Sequence, residues 1–368
     1  MSLRSIFCLG AVLGALFGPA SGRAATPAAT ATQSAAASSP HCLPQRSADL
    51  VQLVQSQPLA LRRGGGQMVP VTRGSPRWMA GFNAVLAWQN DDCSAFATFV
   101  ELMGYEAIEV LDTVTRTRHW LVAERGVDRA LRYSGLFVLR APEELARARR
   151  LVINAPHVGF DFTDDRAVRL YRELGASVFV QNTAHRCNLE ACSGCGSFGG
   201  YACGGCARVS DSAHSVDNLQ FAVFAALEAT RTHDSARPWL HFEYHGMAAR
   251  PPQPGCTGVA QVSQGSPSPL PAAVDEGTYP NRFWRALEAR IGDPCVCYHQ
   301  RERGCLLPGS FSVFGRLVNQ ESSGPFDPCT QEATRLSGRY VHFEWHQVAV
   351  EDVAAALAAA VPLPSTTK

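Results

Sequence analysis

LVINAPHVGFDFTDDRAVRLYRELGASVFVQNTAH, residues Leu151 to His185, is the stretch that decides the fold. LVINAPH (Leu151–His157) is an apolar run of strand length. DDRAVRLYRELG (Asp164–Gly175) carries apolar residues at helical spacing, opens on an acidic pair placed to cap it, and ends on a glycine suited to a left-handed C-cap. SVFVQNTAH (Ser177–His185) is a second apolar strand. A strand, a helix and a strand within 35 residues predict a parallel pair with a crossover helix.

Working outward, a helix over Ser215–Thr230 and the strand WLHFEYHG (Trp239–Gly246) repeat the cycle. A weaker strand at Gly258–Ser263, a helix over Tyr279–Ile291, the strand RYVHFEWH (Arg339–His346) and an alanine-rich helix over Glu351–Val361 follow. Upstream, residues 42–150 read as an N-terminal lobe leading into the sheet. It has helical spacing at Ala95–Leu102, strand-like runs at His119–Val122 and Leu136–Arg140, and a helix over Pro142–Arg150. The expectation is an α/β fold: a mostly parallel central sheet flanked by helices, with that lobe and disulfide-rich insertions near residues 187–206 and 295–329. The α/β domain itself is placed at residues 151–362.

The N-terminus sets the compartment. Arg4, an apolar run from Ile6 to Phe17, and small residues from Ala20 to Ala25 read as a secretory signal over residues 1–24, cleaved between about Gly22 and Ala25. The run is too short to span a bilayer. Residues 25–41 are almost wholly Ala, Thr, Ser and Pro, which bury too little apolar surface to offset their ordering entropy, and read as a disordered tether. No later stretch is apolar enough for a membrane helix, so a secreted or periplasmic product is expected.

Of 368 residues, 33 are basic and 32 acidic, and the net charge of +1 provides no footprint for nucleic acid. Of the 13 cysteines, setting aside Cys8 in the signal leaves twelve, an even number that in an exported chain favours a disulfide framework. These are Cys42, Cys93, Cys187, Cys192, Cys195, Cys203, Cys206, Cys256, Cys295, Cys297, Cys305 and Cys329. CSGCGSFGGYACGGC (Cys192–Cys206) contains two C-x2-C pairs, a structural-zinc signal in a reducing compartment. Export turns that reading toward crosslinks, with connectivity open.

Chemistry is sought where strands end, because the functional crevice of an open α/β sheet lies at their carboxyl ends. APHVGFDFTDD (Ala155–Asp165) throws His157 and Asp161 onto such a loop. A histidine and a carboxylate four residues apart there can reach one divalent cation, or serve as a hydrogen-bonded turn with a helix cap. In HFEYHG (His241–Gly246), His241, Glu243 and His245 share one face by the period of two. His245 comes last and is the third candidate ligand; His241 is expected deeper in the sheet. VHFEWH (Val341–His346) places His342, Glu344 and His346 on one face, and Glu344 is the candidate general base. Arg186 and Arg316 are candidates for holding a substrate carboxylate.

The order APH-x-G-x-D, then AHR, then a strand ending in HG, then a terminal HFE strand resembles the zinc-dependent phosphorylase/hydrolase-like superfamily. The nearer branches are the N-formylglutamate amidohydrolase-like and poly-gamma-glutamate hydrolase-like proteins, with the zinc carboxypeptidases more remote. The resemblance spans about Leu151 to Leu357. It implies one zinc ion on His157, Asp161 and His245, Glu344 as general base, and Arg186 and Arg316 on the substrate. The carboxypeptidase pattern has a Glu three residues after its first His. Here Gly159 and Phe160 intervene before Asp161, and Asp164 is an alternative second ligand. The implied activity is hydrolysis of an amide or peptide bond in a peptide-like, gamma-glutamyl or cell-wall substrate. The alternative is a non-catalytic secreted binding or surface protein, built on the same scaffold and stapled by disulfides.

Overall fold

A computed structural model of the chain describes residues 42–60, 68–124, 132–195, 203–230, 237–248, 259–265, 277–292, 295–297 (backbone only), 309–320 and 326–364. Residues 1–41, where the signal and tether are expected, together with Cys256, Cys305 and the side chains of Cys295 and Cys297, lie outside them.

Among the described residues, ten strands form one sheet. In chain order they are β1 (Gln45–Ala48), β2 (Tyr105–Asp112), β3 (Arg118–Glu124), β4 (Leu136–Arg140), β5 (Arg149–Ala155), β6 (Ala176–Gln181), β7 (Leu240–Gly246), β8 (Ala260–Ser263), β9 (Cys295–Cys297) and β10 (Tyr340–Trp345). Their spatial order is β1-β2-β3-β4-β6-β5-β7-β10-β8-β9. The four neighbours β6, β5, β7 and β10 are parallel. Antiparallel pairings join β2 to β3, β3 to β4, β4 to β6, and β10 to β8. The sheet is therefore mixed, with a parallel centre.

Helices cover both faces. On one lie α1 (Leu50–Gln55), α4 (Asp164–Leu174), α6 (Tyr279–Ile291) and α8 (Val350–Ala360), packed on side chains such as Ile153, Phe179, Phe242 and Phe343. On the other lie α2 (Pro76–Gln89), α3 (Cys93–Met103), α5 (Leu219–Ala229) and α7 (Val313–Asn319), packed on Val152, Val178 and Val180. Consecutive residues of β5 thus feed opposite cores, as a strand with both faces covered requires. Each fully buried large apolar side chain contributes about 1.5–3 kcal/mol.

The sheet takes in the N-terminal segment, and two local expectations are revised. The segment read as an N-terminal lobe, residues 42–150, supplies β1–β4 to the same sheet, because β4 pairs with β6 and extends it edge to edge. The helix expected at Pro142–Arg150 is a 3-10 turn ending at Arg147, since β5 begins at Arg149. The acidic pair Asp164–Asp165 occupies the first turn of α4 and does not cap it: the N-cap is Thr163, and Asp164 accepts the backbone N–H of Gly159 instead. The glycine end is as expected, with Gly175 left-handed at φ 58°.

Among the described residues, eight cysteines pair, as Cys42–Cys93, Cys187–Cys203, Cys192–Cys206 and Cys195–Cys329. The Cys192–Cys206 cluster is thus crosslinked. No described helix is long and apolar enough to cross a membrane.

A buried histidine in β3 carries a pH prediction. His119 is fully buried, with Nδ1 2.8 Å from the Tyr171 hydroxyl and Nε2 2.8 Å from Thr117 Oγ1. Burial, reinforced by the neighbouring Arg140 charge and opposed by Asp112, pushes its pKa down to about 3 from 6.5. Stability that depends on neutral His119 is complete above pH 6.5 and is lost as pH falls toward 3, with a slope of at most about 1.4 kcal/mol per pH unit. His119→Gln should flatten the dependence of the urea midpoint on pH between 6.5 and 4. Parallel profiles for variant and parent would contradict this.

Candidate metal centre

The chain leaves β5 toward β6 on one side through α4, then returns across β5 through α5 to reach β7 on the other side. That reversal makes the gap between the carboxyl ends of β5 and β7 the topological switch point of the sheet, where open α/β sheets bind ligands. His157 and Asp161 follow β5, and His245 is the penultimate residue of β7.

The three residues converge. His157 Nδ1 lies 2.9 Å from Asp161 Oδ2, His245 Nδ1 lies 3.0 Å from Asp161 Oδ2, and the two Nδ1 atoms are 3.0 Å apart. All three residues are buried. A point 2.0–2.2 Å from each atom, the zinc-ligand distance, sits roughly 1 Å above their plane. Two imidazole nitrogens and a carboxylate oxygen turned on one point form a donor set suited to a divalent cation.

The outer nitrogens are also accounted for. His157 Nε2 is 2.9 Å from Asp211 Oδ1, and His245 Nε2 is 2.7 Å from Glu243 Oε1. Each imidazole can therefore donate its Nε2 proton to a carboxylate and present an unprotonated Nδ1 inward, the arrangement that fixes tautomer and orientation in metal-bound histidines. Glu243 is held by Ser312 Oγ, which donates to it at 2.8 Å. Two further groupings, His157–Asp211–His214 and Glu243–His245–His342, have suitable spacing. They share these outer contacts, and in the first the Arg186 guanidinium already neutralises Asp211. The inner triad is thus the best cation site among the described residues.

Local structure explains the convergence. A left-handed Gly159 (φ 65°) turns the loop, and Asp161 N donates to His157 O at 3.1 Å, bringing the carboxylate back beside the imidazole. A Cβ on Gly246 would collide with the carbonyl of Asp161, so glycine after His245 is what lets β7 approach the loop. Asp161 is the second ligand candidate that the geometry selects; Asp164 is turned to the Gly159 amide.

Glu344 sits on β10 opposite His245 of β7. Burial raises its pKa to about 8, with Asp161 and Glu243 adding to the shift and His245 and Arg186 opposing it. Its carboxylate lies 3.6 Å from His342 Nε2. Burial alone would also raise the pKa of Asp161, but the imidazoles of His157 and His245 hold it below the usual carboxylate range. For His245, burial disfavours the charged form, yet Glu344, Asp161 and Glu243 together raise its pKa well above 6.5. The centre thus attracts positive charge.

The two arginines part company. Arg186 is at the centre, but Nε (2.9 Å) and Nη2 (2.6 Å) donate to Asp211 Oδ2, leaving Nη1, 3.5 Å from His157 Nδ1, as its remaining arm. Arg316 does not join. It is buried in α7 and donates to the carbonyls of Ser310, Pro328 and Cys329, so it ties loops together. His241 is deeper in the sheet, as expected: its Nε2 is 2.9 Å from Glu228 Oε1, and Arg339 donates to both oxygens of that carboxylate. Asp211 and His214 were not singled out in the sequence. SDSAH (Ser210–His214) is too short a signal, and only its contacts with Pro156 and His157, just past the end of β5, give it meaning.

No protein-family model, curated protein or solved structure matches this chain.

Proposed function

We propose that the protein is an exported metal-dependent hydrolase of an amide or peptide bond, with a single cation, zinc by its donor set, held on His157, Asp161 and His245. The observation that carries the reading is the 2.9–3.0 Å triangle of inward-facing ligand atoms, with a carboxylate behind each histidine. A cation bound there supplies Lewis acidity toward a carbonyl and lowers the pKa of water to about 7.

The remaining roles fall to the chain's own side chains. Glu344, on β10 opposite His245, takes a proton from the attacking water and delivers it to the departing nitrogen. Asp211 and Glu243 fix the two imidazoles. Arg186, with Nε and Nη2 bound to Asp211, offers only Nη1 to a substrate oxygen. The four disulfides fit folding in an oxidising compartment, where peptides, gamma-glutamyl chains and cell-wall stems are within reach.

The test is elemental analysis of protein from an oxidising host, with a screen of peptide, N-acyl amino acid and gamma-glutamyl amides before and after chelation. About one zinc per chain, and hydrolysis lost on chelation and restored by zinc, are expected. Stoichiometric metal without any amide hydrolysis would favour the non-catalytic binding protein.

A further inference from the structure

The support behind His245 and the support behind His157 are built differently. Glu243 lies on β7 itself, two residues from the histidine it holds, so the sheet fixes it. Asp211 lies on no strand. It follows the 24-residue connection 187–210, which leaves Arg186 and returns beside it.

That connection is closed by crosslinks. Cys187–Cys203 and Cys192–Cys206 interleave along it, and Cys195–Cys329 fastens it to the segment after α7. Its two arms are stitched at the base. Ser193 N donates to Ala207 O at 2.9 Å, Val209 N to Ala191 O at 3.0 Å, and Ser210 Oγ to Arg186 O at 2.8 Å. At the neck, the Asp211 carboxylate is 99% buried and fully engaged. Oδ1 lies 2.9 Å from both His157 Nε2 and His214 Nδ1, and Oδ2 accepts from Arg186 Nε and Nη2.

We propose that this disulfide-closed loop is a positioning device for the cation centre, its crosslinks setting metal affinity by holding Asp211 and Arg186 together against His157. The proposal rests on reading the inner triad as a cation site. Without the crosslinks, a long Gly-rich connection samples many arrangements, and only those with Asp211 on Nε2 leave His157 correctly turned. Affinity falls by the fraction of time that arrangement is lost. Asp211 is the positioning residue, since it acts through His157.

The experiment is calorimetric titration of the full chain with Zn²⁺ at pH 7, alongside metal-free thermal unfolding. Four proteins are compared: wild type, Asp211→Asn with all crosslinks intact, a loop variant with Cys187, Cys192, Cys203 and Cys206 replaced by serine, and Cys42→Ser/Cys93→Ser. Serine is used because reduced thiols would bind zinc themselves. The expected losses of affinity are about 10- to 100-fold for Asp211→Asn, the range for supporting partners of metal ligands, and a comparable loss for the loop variant. Cys42→Ser/Cys93→Ser, which removes a crosslink between the segment before β1 and α3, should stay within about threefold of wild type while its melting temperature falls.

Wild-type affinity in the loop variant would overturn the proposal, as would an equal loss in Cys42→Ser/Cys93→Ser, which would mark a general effect of stability. No zinc binding by the wild-type chain would overturn the reading of the triad itself.

Discussion

Replacing both inward-facing imidazoles, His157→Ala with His245→Ala, is expected to reduce zinc affinity by at least about 10³-fold. Structural zinc sites with four ligands bind with roughly 10–16 kcal/mol in all, or roughly 2.5–4 kcal/mol per ligand. Losing two of three protein ligands leaves Asp161 alone, and a single carboxylate does not retain zinc against water. Each single variant should already lower the metal content of purified protein, and circular dichroism should confirm that the sheet persists. Unchanged metal content in both single variants would remove the triad as the binding site.

Glu344→Gln separates binding from chemistry. The amide keeps the shape and the place on β10 but cannot accept a proton at neutral pH. Turnover of any amide substrate found in the screen is therefore expected to fall about 10²- to 10⁴-fold, the usual contribution of a positioned general base. Zinc affinity should change by less than about tenfold, because Glu344 stands outside the 2.9–3.0 Å triangle. Glu344→Asp, with a shorter reach, should recover part of the rate. Hydrolysis undiminished in Glu344→Gln, with metal retained, would move the proton-transfer role to another group.

Much of the fold was legible along the chain. The strands around Val152, Val178, Phe242 and Val341, and the helices α4, α6 and α8, announce themselves by apolar run length and by the 3.6-residue period, which are local properties. The extension of the sheet through β4, β3 and β2 was not legible. Antiparallel pairing of β4 with β6 joins residues some forty positions apart, and nothing in either strand names its partner. The same limit explains the short turn at Pro142–Arg147: its helical composition yields to β5, whose pairing with β6 begins at Arg149.

At the centre, His157, Asp161, His245 and Glu344 could be named because each stands at or near the end of a recognisable strand. Asp211 could not, since its importance comes from a hydrogen bond to a residue 54 positions away. Arg186 and Arg316 looked alike as arginines after strand or loop; one reaches the centre and the other is buried among backbone carbonyls.

The sequence by itself determined the α/β class, the ends of the central strands, and the residue types able to hold a cation, because hydrophobic period and side-chain chemistry are written locally. Only the tertiary structure decided that β5 and β7 lie side by side at the reversal of the sheet. It also decided that Gly246 lets them close on Asp161, and that a crosslinked loop returns Asp211 to His157. Those are contacts between distant segments, selected by packing of the whole sheet and by disulfides whose pairing no spacing dictates.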